Sequence, residues 1–242
     1  MNRMARLGVS AAAAMSAGLA VAQLAPALAS IGPLRRAAFP RLAGIGARDH
    51  VALTFDDGPD PHYTPTLIAL LKELQVRATF FLLGRMLAAN PQLGRDLVTA
   101  GHEVALHGWS HRVLSGRDPA STHRDLVRGR DLIADVTGQP VRWWRPPYGV
   151  LTASSLISAY QLGMTPVLWT AWGRDWTSDA TAASVRATVR RGLRPGATIL
   201  LHDSDCTSAA GSSRATLAAL PAVVKDIRAR SWRLGPLSEH SL

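Results

Sequence analysis

From His50 onward the chain alternates short apolar runs with longer amphipathic segments, and this rhythm restricts its fold more than any other feature. Short apolar runs suit strands, and apolar positions three and four apart suit helices. The predicted strands are Val51–Phe55, Ala78–Leu82, Glu103–Leu106, Arg142–Arg145, Pro166–Trp169, Thr198–Leu201 and Trp232–Leu234. The predicted helices are Pro65–Leu74, Pro91–Ala100, Ala120–Val136, Thr152–Gln161, Ala182–Arg191 and Leu217–Ala229. Gly101, Gly138, Gly163 and Gly192 follow helices, where a left-handed cap favours glycine. Strand-helix repetition of this kind predicts an α/β fold, with a sheet of about seven parallel strands under covering helices, as a barrel or a doubly wound sheet.

The first 48 residues break the rhythm. Arg3 and Arg6 precede a charge-free stretch from Leu7 to Leu34, and Ala27-Leu28-Ala29 supplies a small-x-small ending. A basic start, an apolar middle and such an ending describe an export signal. The stretch is also long enough for an uncleaved anchor, which needs ~20 residues, and an Ala-rich helix packed on the domain is the third reading. We expect a signal peptide or membrane anchor over 1–29, a linker over 30–48 and one domain over 49–242, placed outside the cytoplasm. The formal charge of +10 suits an anionic envelope. The arginines are scattered, with no dense basic run and no interleaved aromatics, so nucleic acid is not an expected partner. Cys206 is the single cysteine, so the fold rests on its core without an internal disulfide, and we expect a monomer.

Five polar clusters stand where parallel strands should end, the place where α/β folds put their chemistry. Thr54-Phe55-Asp56-Asp57-Gly58-Pro59 follows the first strand. Two adjacent carboxylates repel, so they want a cation or a proton nearby, although a solvated acid pair in a turn is an equal alternative. His107-Gly108-Trp109-Ser110-His111 follows the third strand. Imidazoles four apart share one side of a helical turn and suit two ligands of one metal, though taken alone they also fit incidental surface histidines. Arg145-Pro146-Pro147-Tyr148-Gly149 is a stiff loop with the Tyr148 amide as a fixed donor, or simply a rigid connector. Trp172-Gly173-Arg174-Asp175-Trp176 suits a sugar-stacking wall or the rim of the core. Leu200-Leu201-His202-Asp203 places a histidine directly beyond an apolar strand, as a general acid or a satisfied core histidine. Two histidines and one carboxylate leave open positions on a metal, unlike a closed structural zinc site.

Taken together and in this order, TFDDGP, HxxxH, RPPYG, the Asp-Trp pair and LLHD resemble the NodB-homology polysaccharide deacetylases, carbohydrate esterase family 4. The resemblance runs from about Val51 to Leu234. It implies a distorted (β/α) barrel and a hydrolase that removes acetyl groups from an acetylated polysaccharide. It implies that Asp57, His107 and His111 bind a divalent metal, Zn2+ foremost, with Co2+, Ni2+ or Mn2+ as substitutes. By the same resemblance Asp56 is the general base, His202 the general acid, and the Tyr148 amide an oxyanion donor. Arg145 supports Asp56, Asp175 tunes His202, and Leu200 with nearby aromatics shapes the acetyl pocket. Two positions depart from the family pattern: Gly108 stands where Ser or Thr is frequent, and Trp172 where a further acid is frequent.

The expected reaction is N-deacetylation of an N-acetylglucosamine polymer, such as peptidoglycan or a chitin-like chain. The alternatives are O-deacetylation of acetylxylan or another acetylated glycan, a catalytically silent carbohydrate-binding domain, and an envelope protein with a structural metal. The polar stretch Ser204–Ser213 is left without a role.

Overall fold

The structure, a computed structural model, describes residues 17–242. Arg3, Arg6 and residues 7–16 of the apolar stretch lie outside the described residues. Elements are labelled in chain order: α1 Gly32–Ala38, β1 His50–Asp56, α2 Thr64–Glu73, β2 Thr79–Leu83, α3 Gly84–Ala89, α4 Pro91–Thr99, β3 Glu103–Gly108, α5 Pro119–Thr137 and β4 Trp143–Trp144. They continue with α6 Ala153–Gln161, β5 Thr165–Pro166, β6 Ala171–Trp172, α7 Ala182–Gly192, β7 Thr198–His202, α8 Ser213–Arg228 and β8 Arg233–Gly235.

All strand pairs are parallel, in the order β5-β4-β3-β2-β1-β7-β6, with β8 joining the start of β1. This is the expected curled (β/α) barrel-like sheet, with one strand more than the sequence suggests. Every residue of β1 is buried, as expected for a parallel strand covered on both faces. Alternate residues serve different layers. Leu53 and Phe55 join Leu67, Leu71, Val223 and Ile227 in the sheet-helix core, while Ala52 packs with Phe81, Ala105, Val167 and Leu237 in a second cluster inside the curl.

The two edges of the curl are not joined by a ladder. β5 lies on one edge and β6 on the other, and residues 167–170 carry the chain between them. Side chains and a neighbouring loop fasten this seam. Arg145 donates from Nε to the Val167 carbonyl at 3.2 Å and from Nη2 to the Leu168 carbonyl at 3.1 Å. The Leu168 amide donates to the Leu42 carbonyl at 2.8 Å.

Three sequence expectations shift here. The predicted strand Pro166–Trp169 divides into β5 and β6, because the chain leaves one edge after Pro166 and reaches the other at Ala171. The helix α3 was not expected. Gly192 does not cap α7 but ends it in close packing: a Cβ there would lie 2.7 Å from the Ala171 Cα. Gly138, at φ 68°, is the left-handed cap of α5, whose other end is capped by Asp118 accepting from the Ser121 amide at 2.9 Å.

The residues ahead of β1 pack on the barrel. Arg35, 4% exposed, donates from Nη1 to the Ala29 carbonyl at 2.9 Å and from Nη2 to the Trp169 carbonyl at 2.7 Å. Gln23 donates to Ser154 Oγ at 2.7 Å and accepts from the Ser154 amide at 3.1 Å. Helices over Ala17–Ser30 and Gly32–Ala38 meet at 97°, and among the described residues no single helix is long and apolar enough to cross a membrane.

Candidate active site

The strand register places the chemistry. Asp56 and His202 are Cα partners across β1 and β7, and Leu106 pairs with Trp144, so His107 and Arg145 emerge side by side. A cleft of about 280 Å³ opens over these ends, lined by Asp56, Asp57, His107, His111, Tyr148, Leu200 and His202, with Trp169, Trp172 and Trp176 as a wall. Arg145 and Asp175 lie behind it, 0% and 1% exposed. The eight predicted catalytic and metal-ligating residues, and Leu200 with them, therefore gather at one site. A larger groove of about 590 Å³ lies at the other end of the strands, lined by residues such as Ile68, Lys72, Arg77 and His102, and brings together no comparable acid-base set.

Asp57, His107 and His111 offer ligand atoms within 4.8 Å of one another. The Asp57 Oδ1 atom lies 3.5 Å from His107 Nε2 and 3.6 Å from His111 Nε2. Those separations match the ~3.4 Å edges of a tetrahedron built on bonds of ~2.1 Å. Oδ1 is buried and has no hydrogen-bond partner, a costly arrangement unless a cation completes it. His107 is oriented by its other nitrogen, since Nδ1 lies 2.8 Å from the Arg145 carbonyl and donates to it, which leaves the Nε2 lone pair facing the cluster. Burial pushes His107 down to about 3 and lowers His111, each against the pull of the Asp57 carboxylate, so both rings stay neutral, as ligands must be. The two histidines do not share a helical turn. His107 is the penultimate residue of β3 and His111 stands in the loop beyond, with Gly108 at φ 113° turning the chain between them. That conformation suits glycine, so a Ser or Thr at this position would be strained here.

Asp56 is held differently from its neighbour. Arg145 Nη1 donates to Asp56 Oδ1 at 2.7 Å and to Thr54 Oγ1 at 2.8 Å, leaving Asp56 Oδ2 toward the cleft side, 3.8 Å from His107 Nε2. Burial raises the Asp56 carboxyl, and Arg145 and His202 pull it back part of the way. Asp57 takes φ 80°, a strained value for a non-glycine residue, and this turn lets adjacent residues aim their carboxylates into one space. Tyr148, at φ 59°, is similarly strained, and its ring meets His111 edge-on at 4.4 Å.

On the facing wall, Asp175 Oδ1 accepts from His202 Nδ1 at 2.9 Å, and Oδ2 accepts from the His202 amide at 2.8 Å and from Thr216 Oγ1. Burial opposes a charged His202, but the Asp175 carboxylate, with Asp57 and Asp56 behind it, outweighs burial and pushes the ring up to about 10. Trp176 meets His202 edge-on at 5.6 Å, and Trp172 stacks near Trp169 at 6.2 Å, so the tryptophans form the cleft wall rather than only a core rim. Asp203 turns away and accepts from the Gly58 amide at 3.1 Å and Thr64 Oγ1 at 2.6 Å, locking the loop that carries Asp57.

Sequence reasoning placed Thr54 in a polar cluster without a role and missed Thr216; the two brace Arg145 and Asp175. The role of Thr54 was findable, because it lies two residues before Asp56 and so on the same strand face. Thr216 sits on α8, far along the chain, and carries no local signal.

A family model described as polysaccharide deacetylase matches residues 44–167. The chain is similar to a chitooligosaccharide deacetylase from Bradyrhizobium sp. (strain ANU 289), with 35% identity over 197 residues, covering 78% of this chain and 89% of the relative. Its fold superposes on a crystal structure of a peptidoglycan N-acetylglucosamine deacetylase with a TM-score of 0.75 and 27% identity, covering 81% of this chain and 90% of the other. It also superposes on a CE4-family pseudoenzyme from Bacillus anthracis with a TM-score of 0.72 and 26% identity, covering 80% and 65%.

Proposed function

The chain belongs to the NodB-homology polysaccharide deacetylases, carbohydrate esterase family 4, and we propose that it is a metal-dependent member acting outside the cytoplasm on N-acetylglucosamine units. One observation carries the metal reading: the partnerless, buried Asp57 Oδ1 between His107 Nε2 and His111 Nε2. A divalent ion bound there, Zn2+ foremost, supplies Lewis-acid polarisation of the acetyl carbonyl and a more acidic water.

The residues around that position divide the remaining work. Asp56 Oδ2 accepts the proton of the attacking water, while Arg145 on Oδ1 fixes the carboxylate's orientation. The Tyr148 amide donates to the developing oxyanion, a contribution of about 3 kcal/mol for one well-placed donor. His202, charged by Asp175 and held through Nδ1, presents Nε2 to the leaving amine and protonates it. Trp172 and Trp176 offer flat apolar faces to a sugar ring, and Leu200 lines the acetyl pocket. The N-acetyl preference follows the relatives' substrates. The silent-domain reading is disfavoured because the base, the acid and the three ligand groups are all present.

The test is acetate release and product analysis with metal-loaded protein on acetylated chitooligosaccharides, peptidoglycan and acetylxylan. We expect release from the N-acetyl substrates, abolished by a chelator and restored by a divalent first-row ion. Asp57→Asn should lose metal, whereas Asp56→Asn should keep metal and lose turnover. Release from acetylxylan alone would make the protein an O-deacetylase, and normal turnover in Asp56→Asn would remove Asp56 as the base. Localisation is tested by fractionating the source cell, where protein found only in the cytosol would overturn the export reading.

A further inference from the structure

The loop between β7 and α8, over residues 203–212, has no part in the reaction just described, yet it closes over the aspartate at the metal position. Thr207 Oγ1 donates a short hydrogen bond to Asp57 Oδ2, and Cys206 Sγ donates to the Asp57 carbonyl at 3.6 Å. The loop is itself braced. Asp205 accepts from Tyr63 hydroxyl at 3.1 Å and from the Gly211 amide at 2.6 Å, Ser204 Oγ donates to Asp60 Oδ2 at 3.1 Å, and the Ala209 amide donates to the Trp176 carbonyl at 3.0 Å. Thr207 is thus delivered to Asp57 from a fixed frame.

A carboxylate can meet a cation through one oxygen or both, and it can rotate between them. Here the two oxygens are unequal: Oδ2 is taken by a hydroxyl, and Oδ1 alone is bare and faces the two histidines. We propose that Thr207 is a positioning residue for metal binding, its hydroxyl occupying Asp57 Oδ2 so that Asp57 serves as a one-oxygen ligand through Oδ1. The inference rests on the metal reading of the site and goes beyond it by giving the unassigned loop a role. Partners that orient a ligand in this way are typically worth a factor of 10–100 in metal affinity.

The experiment measures the Kd for Zn2+ by chelator competition, and the visible absorption of the Co2+-loaded protein, for the intact chain and three variants. Thr207→Val, nearly the same size without the hydroxyl, should weaken Zn2+ binding by about 10-fold or more. It should also change the Co2+ spectrum as Asp57 becomes free to use both oxygens. Thr207→Ser should restore both readouts, which mere loss of packing in the loop would not predict. His107→Ala is the control for the site itself. Unchanged Kd and unchanged Co2+ spectrum in Thr207→Val, alongside a weakened His107→Ala, would overturn the role of Thr207 and leave the metal site standing. Unchanged binding in His107→Ala would overturn both.

Discussion

Acid should destabilise this protein through its buried histidines, at the foot of the barrel as well as at the active site. His50 opens β1 and lies 2.8 Å from His240, Nδ1 to Nδ1, with both side chains fully buried. That bond needs one proton and one lone pair, so it tolerates the neutral pair and not two imidazoliums. Burial, reinforced by His240 and Arg233, lowers His50 from 6.5 to about 4. Burial likewise lowers His102 to about 4 and lowers His240. The opposing charges are Asp49 and Glu239, the latter with Oε2 3.9 Å from His50 Nε2. A folded-state value below the unfolded one means that the unfolded chain binds the proton first. The stability is therefore complete above pH 6.5 and is lost as pH falls through about 4. One such group is worth roughly 3 kcal/mol over that window, at about 1.4 kcal/mol per unit. The assay is urea unfolding of metal-stripped protein at a series of pH values, with His50→Gln and His240→Asn beside the parent chain. Metal stripping keeps ion release out of the slope. We expect the proton uptake on unfolding to fall by about one in the His50 variant. Parallel stability curves for parent and variants across the window would refute the assignment.

Three further outcomes follow from named contacts. Arg145→Met strands Asp56 as an unpaired buried carboxylate and should cost roughly 3–5 kcal/mol in the same unfolding assay, so parent-like stability would contradict the buried ion pair. Gly58→Ala would set a methyl 2.1 Å from Asp203 Oδ2, and overpacking of this kind should cost about 1–3 kcal/mol, read as a lower Tm. Trp172→Ala, removing a wall residue 40% exposed at the cleft, should raise KM with little change in kcat; an equal fall in kcat would place Trp172 in the chemical step instead.

The buried strands were legible because their sequences carry little else. VALTF, ATFFL and TILLH are mostly apolar runs with a single threonine each, and β1, β2 and β7 fall within a residue or two of expectation. The polar clusters were legible for the same reason, since each interrupts an apolar run at a strand end. What escaped the sequence was decided by partners distant in the chain. The stretch TPVLWTAW reads as one apolar segment, and only the curl of the sheet divides it between two edges. The spacing of His107 and His111 suggested a helical turn, whereas the Arg145 carbonyl and the Gly108 turn bring them together. Thr207 looked like one more small residue in a polar loop, because its partner Asp57 lies 150 positions away.

The seam across residues 167–170 also bears on how such a protein can drift. One guanidinium fastens Val167 and Leu168 with two of its nitrogens and orients Asp56 with the third. Barrel closure and the proposed base therefore share a single side chain. A lineage released from selection for turnover could replace the exposed Tyr148 at little structural expense, but losing Asp56 leaves a buried cation without its counter-charge, and losing Arg145 opens the seam. Either first step is penalised before the second can compensate. The Asp56–Arg145 pair is thus expected to outlast the activity it serves, so that its presence in a distant homologue reports an intact barrel more reliably than a working enzyme.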